Sequence, residues 1–436
     1  MADKITTKKR VGLISLDKVG KSMAGPGIRY FELAQALADN FDVSLFAPDG
    51  TDLAEKKFKI IPYNSRRSSS DLAKKIAGKD VIIAQNLRPP LLYKLKKAGI
   101  RFIADLYDPL AVEVLEYTKG DNKKLRQSTY DFNYYSLILQ LIFADHVLCA
   151  TSRQFDYYSG VLSGRKILDP NFYDRSPNLS RFITLAPFGL SEKAPRAKNP
   201  EAFGQKFPGI KKGDKILYWG GGIWNWFDPL SVIKAIEILA AKRDDIKLFF
   251  LGMKHPNSKI KEMQMANTAC QYAKNKNLLD KFVFINFDWT PYEERVNYLT
   301  GSTIGISTHF DNAETRFSFR TRILDYLWAE LPMILTRGDA FAQLCEEKNL
   351  GRVVDFENPK EIAAAAAAII DNSKLSFEIR QNIREIKKEF FWPTIAKNIA
   401  KVIEENRWIP RKLCLTDLLP LTLDFYKAGL KKKLAK

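Results

Sequence analysis

At 436 residues the chain is too long for one ordinary core, and about 150 residues per domain allows two or three domains. Hydrophobic content of 46% and aromatic content of 12% are those of a folded protein, and the absence of any run of about 18 apolar residues excludes a membrane-spanning helix. A formal charge of +19 points to an anionic partner, whether nucleic acid, anionic lipid or a small ligand. The opening MADKITTKKR lacks the apolar core of a signal peptide, which predicts a cytosolic protein. Cys149, Cys270, Cys345 and Cys414 are widely spaced and only three histidines are present, so neither a disulfide frame nor a metal site is expected.

VGLISL (11–16), DVSLFAP (42–48), DVIIAQ (80–85), RFIADLY (101–107) and ADHVLCA (144–150) are short apolar runs separated by helix-like stretches. That alternation predicts a parallel, doubly wound sheet, in which ligands bind at the carboxyl ends of strands. The first such loop is DKVGKSMAGPGIR (17–29), where Gly20, Gly25 and Gly27 let backbone approach a ligand and a helix opening at Ile28 aims its N–H groups at an anion. A plain tight turn explains the same residues. The loop is neither a GxGxxG nor a Walker motif, which disfavours a dehydrogenase or ATPase. After the fourth predicted strand, Asp105 and Asp108 suit contacts to sugar hydroxyls or proton transfer, with helix capping by Asp108 ahead of Pro109 as the alternative. LYKLKKAGIR (92–101) is a basic patch beside apolar residues.

The stretch 188–214, rich in proline, glycine and lysine, reads as an interdomain linker, with the boundary at 191–213. A second strand series follows: KILYWGG (215–221), IKLFFLG (246–252), FVFIN (282–286), STIGIST (302–308), LPMILT (331–336) and LGRVVDF (350–356). In WGGGIWNWFDP (219–229), Gly221 and Gly222 are costly unless backbone must come close to something, and Trp224 and Trp226 suit either stacking on a ligand or packing.

In ETRFSFRTRILDYLWAELP (314–332), Ile323, Leu324, Leu327 and Trp328 share one face of a helix with Ser318 as its expected N-cap. Arg316, Arg320 and Arg322 surround its start, where each cation costs roughly 0.3 to 1 kcal/mol against the helix dipole. A bound phosphate reverses that sign. The alternative pairs Arg322 with Asp325 and leaves the other two in solvent. Beyond Trp392 the chain is expected to cross back to the first domain, ending in KAGLKKKLAK (427–436), whose lysines fit an anionic membrane surface or a solvated helix face.

Together AGPGIRYFELAQALA (24–38), PFGL (187–190), the glycine loop, GMKHPN (252–257), DWTPYEER (288–295) and the arginine-rich helix resemble family 4 retaining glycosyltransferases, and ETRFSFRTR with DYLW resembles one bacterial branch of them. The resemblance implies the GT-B fold, two Rossmann-like doubly wound parallel-sheet domains facing a central cleft, with an acceptor domain at 1–190 and a donor domain at 214–391. It implies transfer of a sugar from a nucleoside diphosphate sugar to a glycan or lipid-linked acceptor in cell-surface polysaccharide synthesis, without a cofactor beyond the co-substrate. The family's second glutamate, which holds the donor ribose, falls on Asp325. The first glutamate's role passes to Glu314 across a loop three residues longer. Arg316, Arg320 or Arg322 supplies the diphosphate charge in place of the usual Arg and Lys near Gly221. Glycine is usual before Leu-Pro, so Glu330 implies about 1 kcal/mol of strain at φ > 0 or a different helix end. The expected site is therefore Glu314, Asp105 and Asp108 for catalysis, with Gly25, Gly27, Gly221, Gly222, Arg316, Arg320, Arg322 and Asp325 for the donor. An epimerase or phosphorylase of the same fold, or a polyanion-binding protein, is the rival reading. The basic residues are dispersed and no specific nucleic-acid motif is present.

Overall fold

The computed structural model describes residues 8–20, 23–253, 263–288, 290–409 and 415–435, which leaves Cys414 and most of GMKHPN outside the described residues. The chain separates into two units, Met1–Phe188 with Trp392–Lys436, and Gly189–Phe391.

The first unit holds β1 (Arg10–Ile14), β2 (Asp42–Pro48), β3 (Lys59–Tyr63), β4 (Val81–Ala84), β5 (Arg101–Asp105), β6 (His146–Cys149) and β7 (Ile183–Leu185). Their order is β3-β2-β1-β4-β5-β6-β7, all parallel, with Leu13 opposite Leu45 on one side and Ile83 on the other. β4 and β6 are buried at every position, as a sheet covered on both faces requires. The two strands not expected from sequence, β3 and β7, are the sheet edges. They are only partly buried and so carry no sustained apolar run, and Pro62 is tolerated in β3 because an edge strand can spare an N–H.

The C-terminal segment packs on this unit. Trp392 lies 5.0 Å from the ring of Phe188, and Lys9 Nζ donates to the Ile403 carbonyl at 2.6 Å. The helix Leu415–Ala435 runs along the helix Lys123–Phe143, burying Leu418, Leu421 and Phe425.

The second unit holds β8 (Lys215–Trp219), β9 (Ile246–Phe250), β10 (Val283–Ile285), β11 (Ile304–Ser307), β12 (Met333–Thr336) and β13 (Gly351–Val354) in the order β10-β9-β8-β11-β12-β13, again all parallel. The 191–213 stretch is not the bare linker expected. It belongs to this unit and forms the helix Ala202–Lys206, because Phe203 packs against Phe249 at 4.9 Å and Tyr298 at 5.2 Å.

In each sheet the chain order reverses beside the first strand, between β1 and β4 and between β8 and β11. The crevice outside the carboxyl ends at such a point is where open α/β sheets bind ligands. Among the described residues no helix is long and apolar enough to cross a membrane.

Candidate functional site

At the β8/β11 reversal, one tyrosine ties the two strand ends together. The Tyr326 hydroxyl donates to the Ile306 carbonyl at 2.8 Å and accepts from the Gly220 N–H at 3.0 Å. Gly305 makes room for its ring, since a Cβ there would sit 2.3 Å from Tyr326 Cγ. The loop then turns through Gly221 at φ +73°, a conformation that favours glycine, and a Cβ at Gly221 or Gly222 would meet open space. Backbone at these two positions is thus left without a side chain in front of it.

The arginine-rich stretch is two helices rather than one. Ala313–Phe317 is capped by Asn312, whose Oδ1 accepts from Thr315 N at 2.9 Å, and Thr321–Trp328 starts after a break at residues 318–320. Ser318 is therefore not the N-cap of the longer helix but ends the shorter one. Arg320 occupies the capping position of the longer helix, and no side chain caps its amino end. The pairing of Arg322 with Asp325 does not form, because Arg295 Nε takes both Asp325 oxygens at 3.1 and 3.2 Å.

The three arginines have different fates. Arg316 is exposed on the short helix. Arg320 is buried and engages Glu314 with both terminal nitrogens, at 2.8 and 2.7 Å, with Asp339 a further 3.9 Å from its Nε. Arg322 has no carboxylate partner among the described residues. Its Nη2 donates to the Gly222 carbonyl at 2.8 Å, its guanidinium lies 4.1 Å over the Phe227 ring and 5.0 Å from that of Trp219, and its buried Nη1 has no hydrogen-bond partner among the described residues. Burial, with Arg320 adding repulsion, pushes its pKa down to about 10.

Asp228 and His309 are buried beside the same loop, where Phe227 bridges to His309. Asp228 Oδ1 caps the helix Pro229–Ala240 through Ser231 N at 3.0 Å, and burial raises its carboxyl pKa. His309 bonds the Arg337 carbonyl through Nε2 at 3.1 Å, and burial, reinforced by Arg320, drives its pKa well below the usual value. It is neutral at physiological pH. Trp224 and Trp226 stack on each other at 5.2 Å with Trp226 buried, which favours packing for the latter.

Arg295, the last residue of DWTPYEER, was not singled out from sequence, yet it holds Asp325 and is itself flanked by the rings of Tyr292 at 3.7 Å and Trp328 at 5.0 Å. Its position in that motif was the available signal. Asp325 offers a ligand only the lone pairs that Arg295 leaves.

In the first unit the glycine loop meets a helix that begins at Gly25, three residues before the expected Ile28. Gly27 serves close packing, as a Cβ there would lie 2.6 Å from the Lys18 carbonyl, whereas Gly25 faces open space. Asp105, expected as a site carboxylate, is tied up in an ion pair. It is fully buried, and Arg29 binds both of its oxygens at 2.8 and 2.7 Å while also donating to the carbonyls of Ala186 and Pro187. Asp108 differs. Its carboxylate does not cap the helix Leu110–Tyr117; Gln85 approaches it at 3.4 Å, and burial raises its pKa to about 6. Asp108 and Asp105 thus have different surroundings although only three residues apart.

Residues 205–389 match the family model described as Glycosyl transferases group 1. The fold is GT-B. Sucrose-phosphate synthase from Thermosynechococcus elongatus is similar at a TM-score of 0.64 and 15% identity, covering 92% of this chain and 99% of that one. A glycosyltransferase from Rickettsia africae ESF-5 is similar at 0.62 and 13%, covering 91% and 98%. Anabaena HepE, solved in complex with UDP-glucose, is similar at 0.62 and 12%, covering 91% and 99%. Among curated proteins, spore coat protein SA of Bacillus subtilis (strain 168) is 23% identical over 202 residues, 45% of this chain and 50% of that protein. The chain thus spans about half the length of that relative. In sequence the GT-B resemblance is concentrated on the second unit, which carries Arg322, Gly221 and Gly222.

Proposed function

We propose that this GT-B chain is a glycosyltransferase that moves a sugar from a nucleoside diphosphate sugar to a glycan or lipid-linked acceptor, in the cytosol, in the synthesis of a bacterial cell-surface polysaccharide. Retention of configuration follows from the resemblance to family 4 enzymes, and no cofactor beyond the co-substrate is needed. The observation that carries the reading is Arg322: a part-buried guanidinium with a buried, unpartnered Nη1 and no carboxylate partner among the described residues, over the Phe227 ring and bonded to the Gly222 carbonyl, at the point where the sheet order reverses.

In the reaction the anomeric C–O bond to the diphosphate breaks and the acceptor oxygen bonds the same carbon. The leaving group gains negative charge as that bond stretches. Arg322 and the uncapped amino end of Thr321–Trp328 are suited to stabilise it, which supports a reaction that needs no metal. The acceptor hydroxyl must lose a proton, and Asp108, with its pKa near 6, is the carboxyl of the first unit suited to take it. The relative solved with UDP-glucose supports a UDP-sugar as the first donor to try.

The test is a thermal-shift and donor-hydrolysis screen against UDP-, GDP- and dTDP-sugars with the wild type and Arg322→Ala. Stabilisation of the wild type by one nucleotide class, lost in the variant, supports the assignment. If no nucleotide sugar stabilises the protein or is turned over, while generic DNA binds in a salt-dependent manner, the chain is a polyanion binder instead.

A further inference from the structure

The C-terminal helix Leu415–Ala435 has two apolar sides, and the fold covers only one. Leu418, Leu421, Phe425 and Ala428 are buried against the first unit, where Phe425 lies 4.7 Å from Phe132 and Thr422 meets Tyr93 at 3.2 Å. On the far side Leu419, Leu423, Tyr426, Leu430 and Leu434 are exposed, Leu430 by 59% and Leu434 by 80%. At 3.6 residues per turn these five fall within an arc of about 80°, a continuous stripe along the helix. They are half of the ten large hydrophobics exposed among the described residues, so scattered surface apolarity does not explain them.

The margins of the stripe are cationic. Lys427 and Lys433 border it on opposite sides by helical spacing, Lys431 lies beyond Lys427, and Arg88 is close enough to Tyr426 to influence its hydroxyl. The adjoining helix Pro89–Lys97 adds exposed Lys94, Lys96 and Lys97. Asp424 is the one acid among the described side chains of the helix, and Lys427 pairs with it at 3.5 Å. An apolar stripe between lysines, with a tyrosine along it, matches the boundary between acyl chains and anionic headgroups: leucines enter, the tyrosine sits at headgroup level, and lysines extend to the phosphates.

We propose that this face of the C-terminal helix docks the protein on an anionic lipid bilayer. The helix lies in the plane of the interface and stays packed on the first unit through its opposite side. A second copy of the chain is the competing occupant, but a face bordered by cations on both sides would repel its own kind across a two-fold axis. The proposal is independent of the transfer reaction.

The experiment is flotation of the full chain with vesicles of phosphatidylcholine alone or mixed with phosphatidylglycerol, using wild type, Leu423→Ser/Leu430→Ser and Lys427→Glu/Lys433→Glu. Because the substituted side chains are exposed, circular dichroism and melting temperature should be unchanged. The wild type is expected to float with the anionic vesicles only, and each double variant to lower the partition coefficient about tenfold or more. Absence of wild-type flotation overturns the proposal, as does flotation undiminished in both variants. A doubled mass in solution that reverts to monomer with Leu430→Ser assigns the face to a second copy and overturns it too. Nucleotide-induced thermal shifts measured on the same variants should not change, which separates this result from any failure of donor binding.

Discussion

Glu314 and Arg320 form a two-pronged ion pair, Nη1 to Oε1 at 2.8 Å and Nη2 to Oε2 at 2.7 Å, with both side chains buried. The pair spans the break between the two short helices, so it fixes how the second helix leaves the first. Such a pair is costly to halve because the survivor is a buried, uncompensated charge. Glu314→Ala is expected to destabilise the protein by about 3 to 5 kcal/mol, and Glu314→Leu combined with Arg320→Met to recover most of that loss. Urea unfolding of the single and double variants measures it. A single variant costing under about 1 kcal/mol would show that the pair is not what orders this segment.

Arg322 carries the opposite expectation. Its guanidinium is already desolvated and anchored to the Gly222 carbonyl, so a diphosphate bound there gains charge-assisted hydrogen bonds without first ordering the side chain. Arg322→Ala should weaken nucleotide binding about tenfold to a hundredfold while leaving the unliganded fold as stable or more so, because it removes an unsatisfied cation. Arg322→Lys should recover little, having no planar fork to bridge Gly222 and a phosphate. Calorimetric titration with the preferred nucleoside diphosphate decides this. Equal affinity in wild type and Arg322→Ala would remove Arg322 from the site.

The sequence made the central strands readable because parallel strands covered on both faces must be nearly all apolar, as β4 and β9 are. β3 and β7 are only partly buried and carried no comparable signal, whereas the edge strand β10 is buried throughout and was readable. At the site, the misplaced charge of the arginines was legible, but their division of labour was not. Whether Arg320 or Arg322 finds a carboxylate depends on the break at residues 318–320, which turns Arg320 back toward Glu314. Likewise Asp325 and Arg295 are 30 residues apart, and no local pattern couples them.

Glu330 shows a local rule that did transfer. Its φ is +55°, the left-handed conformation implied by its place before Leu331 and Pro332, and its carboxylate is held by Arg384 at 2.6 Å and Lys387 at 2.7 Å. Those partners lower its pKa to about 2. A carboxyl with a depressed folded pKa stabilises fully above its unfolded value near 4.5 and loses that contribution as pH falls toward 2. Glu330→Gln should therefore cost about 1 to 2 kcal/mol at neutral pH and progressively less between pH 4.5 and 2. Glu330→Gly should cost less than Glu330→Gln, since relief of about 1 kcal/mol of backbone strain offsets part of the lost pairing. Thermal melts of the three proteins across that range test both statements; a Gly variant weaker than the Gln variant would contradict the strain argument.

Asp108 has the opposite sign. Burial, opposed in part by Tyr107 and Arg29, raises its folded pKa to about 6, so the protonated form is favoured in the native state. A carboxyl raised in this way contributes stability that is complete below its unfolded pKa near 4 and is lost as pH rises through about 6. The wild type should lose about 2 kcal/mol or less over that window relative to Asp108→Asn, the side chain's residual exposure keeping the figure small. The same titration bears on chemistry. If Asp108 accepts the acceptor proton, kcat/KM for transfer rises through pH 6 as the carboxylate forms, and Asp108→Asn lowers kcat about a hundredfold or more and abolishes that limb. Donor-induced thermal shifts should be equal in the two proteins if the diphosphate is held by Arg322, Gly221 and Gly222, which lie in the other unit. A variant that loses the stability change but keeps the limb near pH 6 would show that Asp108 is a buried acid of the fold and that the transferred proton is handled elsewhere.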